Sequence, residues 1–242
     1  MSTADRPNLV YQLRVSLRGI SPPIWRRLRV PGWCTIADLH FMLQTAMGWE
    51  DEHLHRFCIR GWHYGVSREG AMQWFAGPSS ITLAEFHLRE HERFTYEYNF
   101  YAGWLHDIRV EKIVEPDPGT ALPACIAGAR ACPEEFMPDA EYFMDARDDH
   151  CPGSLIFRLQ ELIEEVEPDL DRLGEERRDW QYWGTIDQLD RKKINAGLQA
   201  LRLSFTVVPL QESVDANHRQ ATHRKRGGKH VHRSHGGAVP SR

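Results

Sequence analysis

Residues 11–27 read YQLRVSLRGISPPIWRR. Over the first eight positions Tyr11, Leu13, Val15 and Leu17 alternate with Gln12, Arg14, Ser16 and Arg18, which is the period of a half-buried β-strand. Pro22 and Pro23 break the run, and the pattern then resumes with Ile24, Leu28 and Val30 inward and Trp25, Arg27 and Arg29 outward. The two segments predict a hairpin with a basic outer face.

Working outward, Thr35 with Asp38 three residues on has the form of a helix cap. Ile36, Leu39, Leu43 and Met47 follow at helical spacing until Gly48 stops the run. HLHRFCI at 53–59 alternates again, Gly61 and Gly65 flank a turn-rich stretch, and Thr82 with Glu85 caps a short helix. Two further strands are predicted in RFTYEYNF and WLHDIRVEKIV, residues 93–100 and 104–114. After the breaks of EPDPG, amphipathic helices are predicted over 154–166 (Leu155, Leu159, Leu162, Val166) and 186–202 (Leu189, Ile194, Leu198, Leu201). Thr185 with Gln188 is read as the cap of the second. Strands first and helices after give an α+β fold: a mixed or antiparallel sheet with an N-terminal hairpin, helices on one side and C-terminal helices.

The 242 residues, 41% hydrophobic, suffice for one sizeable core over about residues 8–205. No apolar run long enough to span a bilayer and no signal-peptide pattern occur, so a soluble cytoplasmic protein without membrane partners is expected. Five cysteines make no disulfide framework and are expected as free thiols. Cys125 and Cys132 are too far apart for a zinc knuckle and are read as packing residues in a loop. Charge is unevenly spread: residues 134–179 carry 16 acidic side chains against 5 basic, and residues 212–242 carry 7 basic against 2 acidic. The acidic run from Glu161 to Glu176 reads as a solvated face. The last 31 residues hold five histidines and few large apolar groups, so a disordered basic tail is expected at 212–242.

Further motifs fall in order along residues 9–202: ISPPIWRR, TIADLH, AMGW, HLHRF, YEYNFYAGWLH and a late INAGL. In these the chain resembles the plasmid Ri ORF-3-like family, with its runs I-x-P-P-I-W-R-R, T-L-x-D-L-H, A-M-G-W, H-L-H-x-F and Y-D-F-G-D-x-W-x-H. The resemblance implies a compact α+β protein of bacterial chromosomes, plasmids and mobile elements, with no established reaction. Some members carry a transposon-passenger or resolvase-like label. This chain departs from the family at Asn99 and Ala102, where two aspartates are usual, and at Phe136 and Met137 after Cys132-Pro133-Glu134-Glu135. The opening also resembles the Y-x-R-V-S of a serine recombinase. A recombinase serine needs phosphate-clamping arginines and a loop after its strand, whereas Ser16 is predicted mid-strand, so it is not read as a nucleophile.

The chemistry-bearing residues that remain are histidines and arginines. Alternation puts His53 and His55 on the face of Phe57 and Ile59, and Trp104 and His106 on that of Ile108 and Val110. His53, His55 and His106 are candidate ligands for zinc, with Trp49 and Trp104 lining a pocket; the other reading is imidazoles capping strand ends. Arg14, Trp25 and Arg27 on the hairpin, and Arg224, Lys225, Arg226 and Lys229 in the tail, are candidates for phosphate contact. Residues 1–211 carry 23 basic and 32 acidic groups, so nucleic-acid affinity is expected in the tail and without sequence preference. The function expected is that of a mobile-element accessory or interaction protein, with an unknown protein partner and no cofactor required. The alternative is a metal-dependent, hydrolase-like enzyme built on the histidines.

Overall fold

The structure is a computed structural model, and it describes residues 8–65, 80–164 and 170–203. Its elements are β1 (Val10–Leu17), β2 (Trp25–Pro31), α1 (Ile36–Met47), β3 (His55–Ile59), β4 (Trp62–Gly65), β5 (Arg93–Tyr98), β6 (Trp104–Val114) and β7 (Ala124–Ala129). Four helices follow: α2 (Ala140–Asp149), α3 (Pro152–Glu164), α4 (Leu170–Thr185) and α5 (Arg191–Ala200). The seven strands form one open sheet in the order β4-β3-β5-β6-β1-β2-β7, antiparallel at every pairing. The fold is α+β, as the order of elements requires. Among the described residues no helix is long and apolar enough to cross a membrane.

The hairpin forms in the register that alternation dictates, with Leu13 opposite Leu28 and Ser16 opposite Trp25. Tyr11, Leu13 and Val15 are buried with Leu28 and Val30, while Arg14, Ser16, Trp25 and Arg27 are only half-buried on the other face. One face of the sheet is thus core, and α1 closes it. Thr35 Oγ1 accepts from the Asp38 N–H (3.1 Å) while the Asp38 carboxyl accepts from the Thr35 N–H (2.9 Å), a reciprocal cap. At the far end Gly48 adopts φ 86°, which L side chains disfavour, and its N–H closes on the Gln44 carbonyl. Helix α5 lies against α1 and β7 through Gly197, where a Cβ would come 2.7 Å from Thr45 Cγ2.

Several elements differ from the sequence reading. β7, ACIAGA, was expected as loop: with Ile126 its one large residue it carries no alternation, and it is a strand because the open edge of β2 offers it a ladder. The last helix starts at Arg191 rather than 186. Asp190 caps it by accepting from the Lys193 N–H at 2.9 Å, while the Thr185 hydroxyl donates back to the Gln181 and Tyr182 carbonyls and closes α4. α2 and α4 were not expected, and the capped segment after Thr82 is a single 3-10 turn, Leu83–Phe86. Val166, residues 165–169 of the acidic run and the basic tail lie outside the described residues.

Arg26 is a charged side chain on the core face. Alternation turns it inward, it is 2% exposed, and among the described residues no carboxylate forms an ion pair with it. Its guanidinium donates to the Ala46 carbonyl (2.9 Å), to Trp25 O (3.0 Å) and Ala129 O (2.9 Å), and to Cys132 Sγ (3.2 Å). It therefore caps the carbonyl end of α1, where the helix dipole favours a cation, and ties that end to the adjoining ends of β2 and β7 and to the loop of Cys132. Arg26→Met removes these donors while leaving the carbonyls buried, and denaturant titration is expected to show a loss of about 2–3 kcal/mol. Arg27→Met on the outer face, which breaks only a half-buried ion pair, is expected to lose under about 1 kcal/mol. Equal losses would contradict the capping role.

Candidate metal centre

Helix α1, the turn after it and β3 bring His40, Asp51 and His55 together. Each offers one ligand atom, and these atoms all lie within 4.8 Å of one another. His40 sits on the buried side of α1 and His55 opens β3; their rings stack at 3.5 Å with planes 8° apart. Asp51 occupies the left-handed region, φ 63°, which an aspartate tolerates, and its carboxylate reaches His40 Nε2 at 2.8 Å. Asp51 is the exposed member and gives the site its solvent side.

Hydrogen-bond accounting fixes the proton on His40. Gln44 Nε2 donates to the Tyr96 hydroxyl oxygen at 2.8 Å, and that hydroxyl lies 2.8 Å from His40 Nδ1. Burial holds Tyr96 well above the usual phenol range, so it keeps its proton and needs an acceptor, which is Nδ1. His40 then carries its own proton on Nε2 and donates it to Asp51. The Asp51 N–H in turn donates to Gln44 Oε1 at 3.3 Å, closing the circuit. His55 differs: burial first, and then its neighbour His40, push its pKa down to about 3, so it is neutral, and its Nε2 is buried without a hydrogen-bond partner.

Glu135 holds the loop that carries Asp51. Its carboxyl, almost fully buried, accepts from the N–H groups of Glu50 (2.6 Å) and Glu52 (3.0 Å) and from the Tyr98 hydroxyl. Tyr98 also accepts from the His53 N–H at 3.1 Å.

The structure brings together a different set from the one expected. Of His53, His55 and His106, only His55 belongs to the cluster. The alternation does not extend back to His53, because β3 begins at residue 55; His53 lies in a bend with its ring against Tyr98 and Phe136. His106 is on β6, two strands from β3, with the β5 tyrosines between: Tyr98 pairs with His55 and Tyr96 with His106. Burial pushes the His106 pKa down to about 4, and its ring meets the Trp49 edge at 5.4 Å. Trp49 and Trp104 do meet, 6.0 Å apart, but as buried packing residues. A groove of about 1360 Å³ opens instead between β7, α5 and the end of α1, and neither tryptophan lines it. His40 went unread because it sits inside the apolar run of α1, and Asp51 because turns carry no periodicity.

Cys125 and Cys132 are buried singly, Cys132 against Met47 and Arg26. Ser16 sits mid-strand between Trp25 and Asp107, where the alternation places it. Arg14 and Arg27 both lie over Trp25, at 4.1 and 5.4 Å from its ring centroid, on the outer face. Arg224, Lys225, Arg226 and Lys229 lie outside the described residues.

The sequence model of the plasmid pRiA4b ORF-3-like proteins matches residues 9–149, which include the hairpin, α1, the whole cluster and Glu135. The chain belongs to this family. It is 33% identical over 130 residues to the uncharacterized protein y4hQ of Sinorhizobium fredii, a match covering 52% of this chain and 65% of that one, just under two thirds of the relative's length. A protein of unknown function from Methanosarcina mazei Go1, MM3350, is similar in structure, with a TM-score of 0.58 at 28% identity, over 76% of this chain and 96% of that one.

The neutral buried imidazoles make stability depend on pH in a defined direction. A histidine whose folded pKa lies below the unfolded value of about 6.5 contributes fully above that pH, and the contribution falls as pH drops toward the folded pKa, because only the unfolded state takes up the proton. From pH 7 to 5, His106 is expected to account for a loss of roughly 2 kcal/mol, and His55 acts in the same sense. Urea titrations at the two pH values should give a smaller difference for His106→Asn than for the parent; an equal difference would contradict the burial of a neutral His106.

Proposed function

We propose that this family member is a metal-binding accessory protein that holds one divalent ion of the zinc class at His40, Asp51 and His55. The observation that carries the reading is the buried, unpartnered Nε2 of a neutral His55 in a cluster with His40 and the Asp51 carboxylate. A buried ring nitrogen without a hydrogen-bond partner is unfavourable unless something binds it, and imidazole with carboxylate is a donor set suited to zinc. His40 would ligate through Nε2 once its proton moves to Nδ1, where the Tyr96 oxygen accepts it and orients the ring, and Glu135 fixes the loop that supplies the carboxylate. An ion there would supply Lewis acidity or cross-link α1 to β3, and the accessory reading rests on the second.

The test is zinc titration of the full-length chain by calorimetry, with competition by a chelator to separate tight binding from the tail histidines. One tight ion per chain is expected, together with a zinc-dependent rise in melting temperature, since an ion at about a hundred times its Kd stabilises by about 2.7 kcal/mol. Asp51→Asn, at the exposed edge, should weaken the tight site by tenfold or more, and His55→Gln should abolish it. His106→Ala should retain it. Loss in His106→Ala with retention in the other two would overturn the assignment.

A further inference from the structure

The pairing register assembles a feature on the opposite face that no single strand displays. Arg93 of β5 pairs with Arg109 of β6, Arg109 with Arg14 of β1, and Arg14 with Arg27 of β2. Four arginines thus stand directly opposite one another across four neighbouring strands. Like charges placed this way weaken a sheet. Local carboxylates relieve the row only in part: Glu111 binds Arg27 at 2.5 and 2.9 Å, and Asp107 is taken by Arg18. Among the described residues neither Arg14 nor Arg93 has an ion-pair partner, and Arg109 bonds the His91 ring with its own Nε left buried and unpartnered.

We propose that this face is a docking surface for single-stranded nucleic acid, centred on Arg14 and Trp25. The row spans three interstrand steps, about 14 Å, which is longer than a single small anion and suited to successive phosphates. Trp25 lies in the adjacent pair of the same face, with the Arg14 guanidinium 4.1 Å from its ring centroid, so aromatic and cationic planes lie beside the charged row. Helices α1 and α5 belong to the core side, and Arg14, Trp25 and Arg27 stand half-exposed on the strands of the other face. Unstacked bases of a single strand can lie on such a sheet. The site is independent of the metal centre, because Arg14 and Trp25 point away from the face that holds His55 and Tyr96.

The experiment uses the full-length chain and a labelled single-stranded oligonucleotide of mixed sequence, with its duplex as a second probe, read by fluorescence anisotropy across a salt series. Binding is expected, tighter for the single strand. The triple variant Arg14→Gln, Arg93→Gln, Arg109→Gln should bind about tenfold or more weakly, and the slope of log K against log salt should shrink by about 2, as expected for three lost phosphate contacts. Its melting temperature should equal or exceed the parent's, because repulsion is removed. Trp25→Ala should weaken single-strand binding while leaving the salt slope unchanged. Unaltered affinity of the triple variant would place any binding in the basic tail and overturn the proposal. So would preference for duplex, absence of binding, or a triple variant less stable than the parent.

Discussion

The hydroxyl of Tyr96 lies in the middle of the core, fully out of water, and has to be satisfied by the protein alone. It takes a hydrogen bond from Gln44 and gives one to His40, both on α1 and one helical turn apart. That single requirement fixes how α1 is rotated against the sheet, since turning the helix would leave three buried polar groups without partners. It also settles which nitrogen His40 shows to Asp51. The same circuit returns through Gln44 to the Asp51 backbone, so the turn between α1 and β3 is tied at both ends of the polar chain.

Around this circuit the protein arranges a second one on the loop side. Glu135 collects two backbone donors and the Tyr98 hydroxyl, placing the 49–54 loop against β5. The two tyrosines of β5 therefore serve as posts, one for the helix and one for the loop, and the three cluster residues come from the elements those posts hold. Burial makes His55 a neutral donor, whereas Asp51 stays at the surface. The cluster is closed on its protein side and open at one carboxylate.

Much of this was legible wherever side chains follow a strong period. The hairpin and α1 announced themselves by alternation, a capping pair and a terminal glycine, and their registers follow from keeping Leu13, Leu28 and Leu39 dry. β7 was invisible because ACIAGA has a single large residue, Ile126, and so nothing to alternate; only the free edge of β2 makes it a strand. Arg26 could have been read from its parity in β2, but an inward arginine is credible only when the carbonyls it caps are known. The site was half legible: strand parity singled out His55, but it also grouped His55 with His53 and His106. The bend before β3 and the intervening β5 strand separate them. His40 could be found only by treating the one imidazole on an apolar helix face as a candidate polar partner of the sheet.

The two faces of the sheet carry opposite chemistry: neutral imidazoles, tyrosines and carboxyls inside, a cationic row outside. The inner circuit is the more constrained of the two, and its ligand geometry can be read directly. X-ray absorption spectroscopy on the full-length chain loaded with one equivalent of zinc counts the ligands. The account predicts two imidazoles with oxygen donors completing the shell at about 2.0–2.2 Å and no sulfur. A shell containing thiolate at about 2.3 Å, or one holding three or more imidazoles, would contradict it.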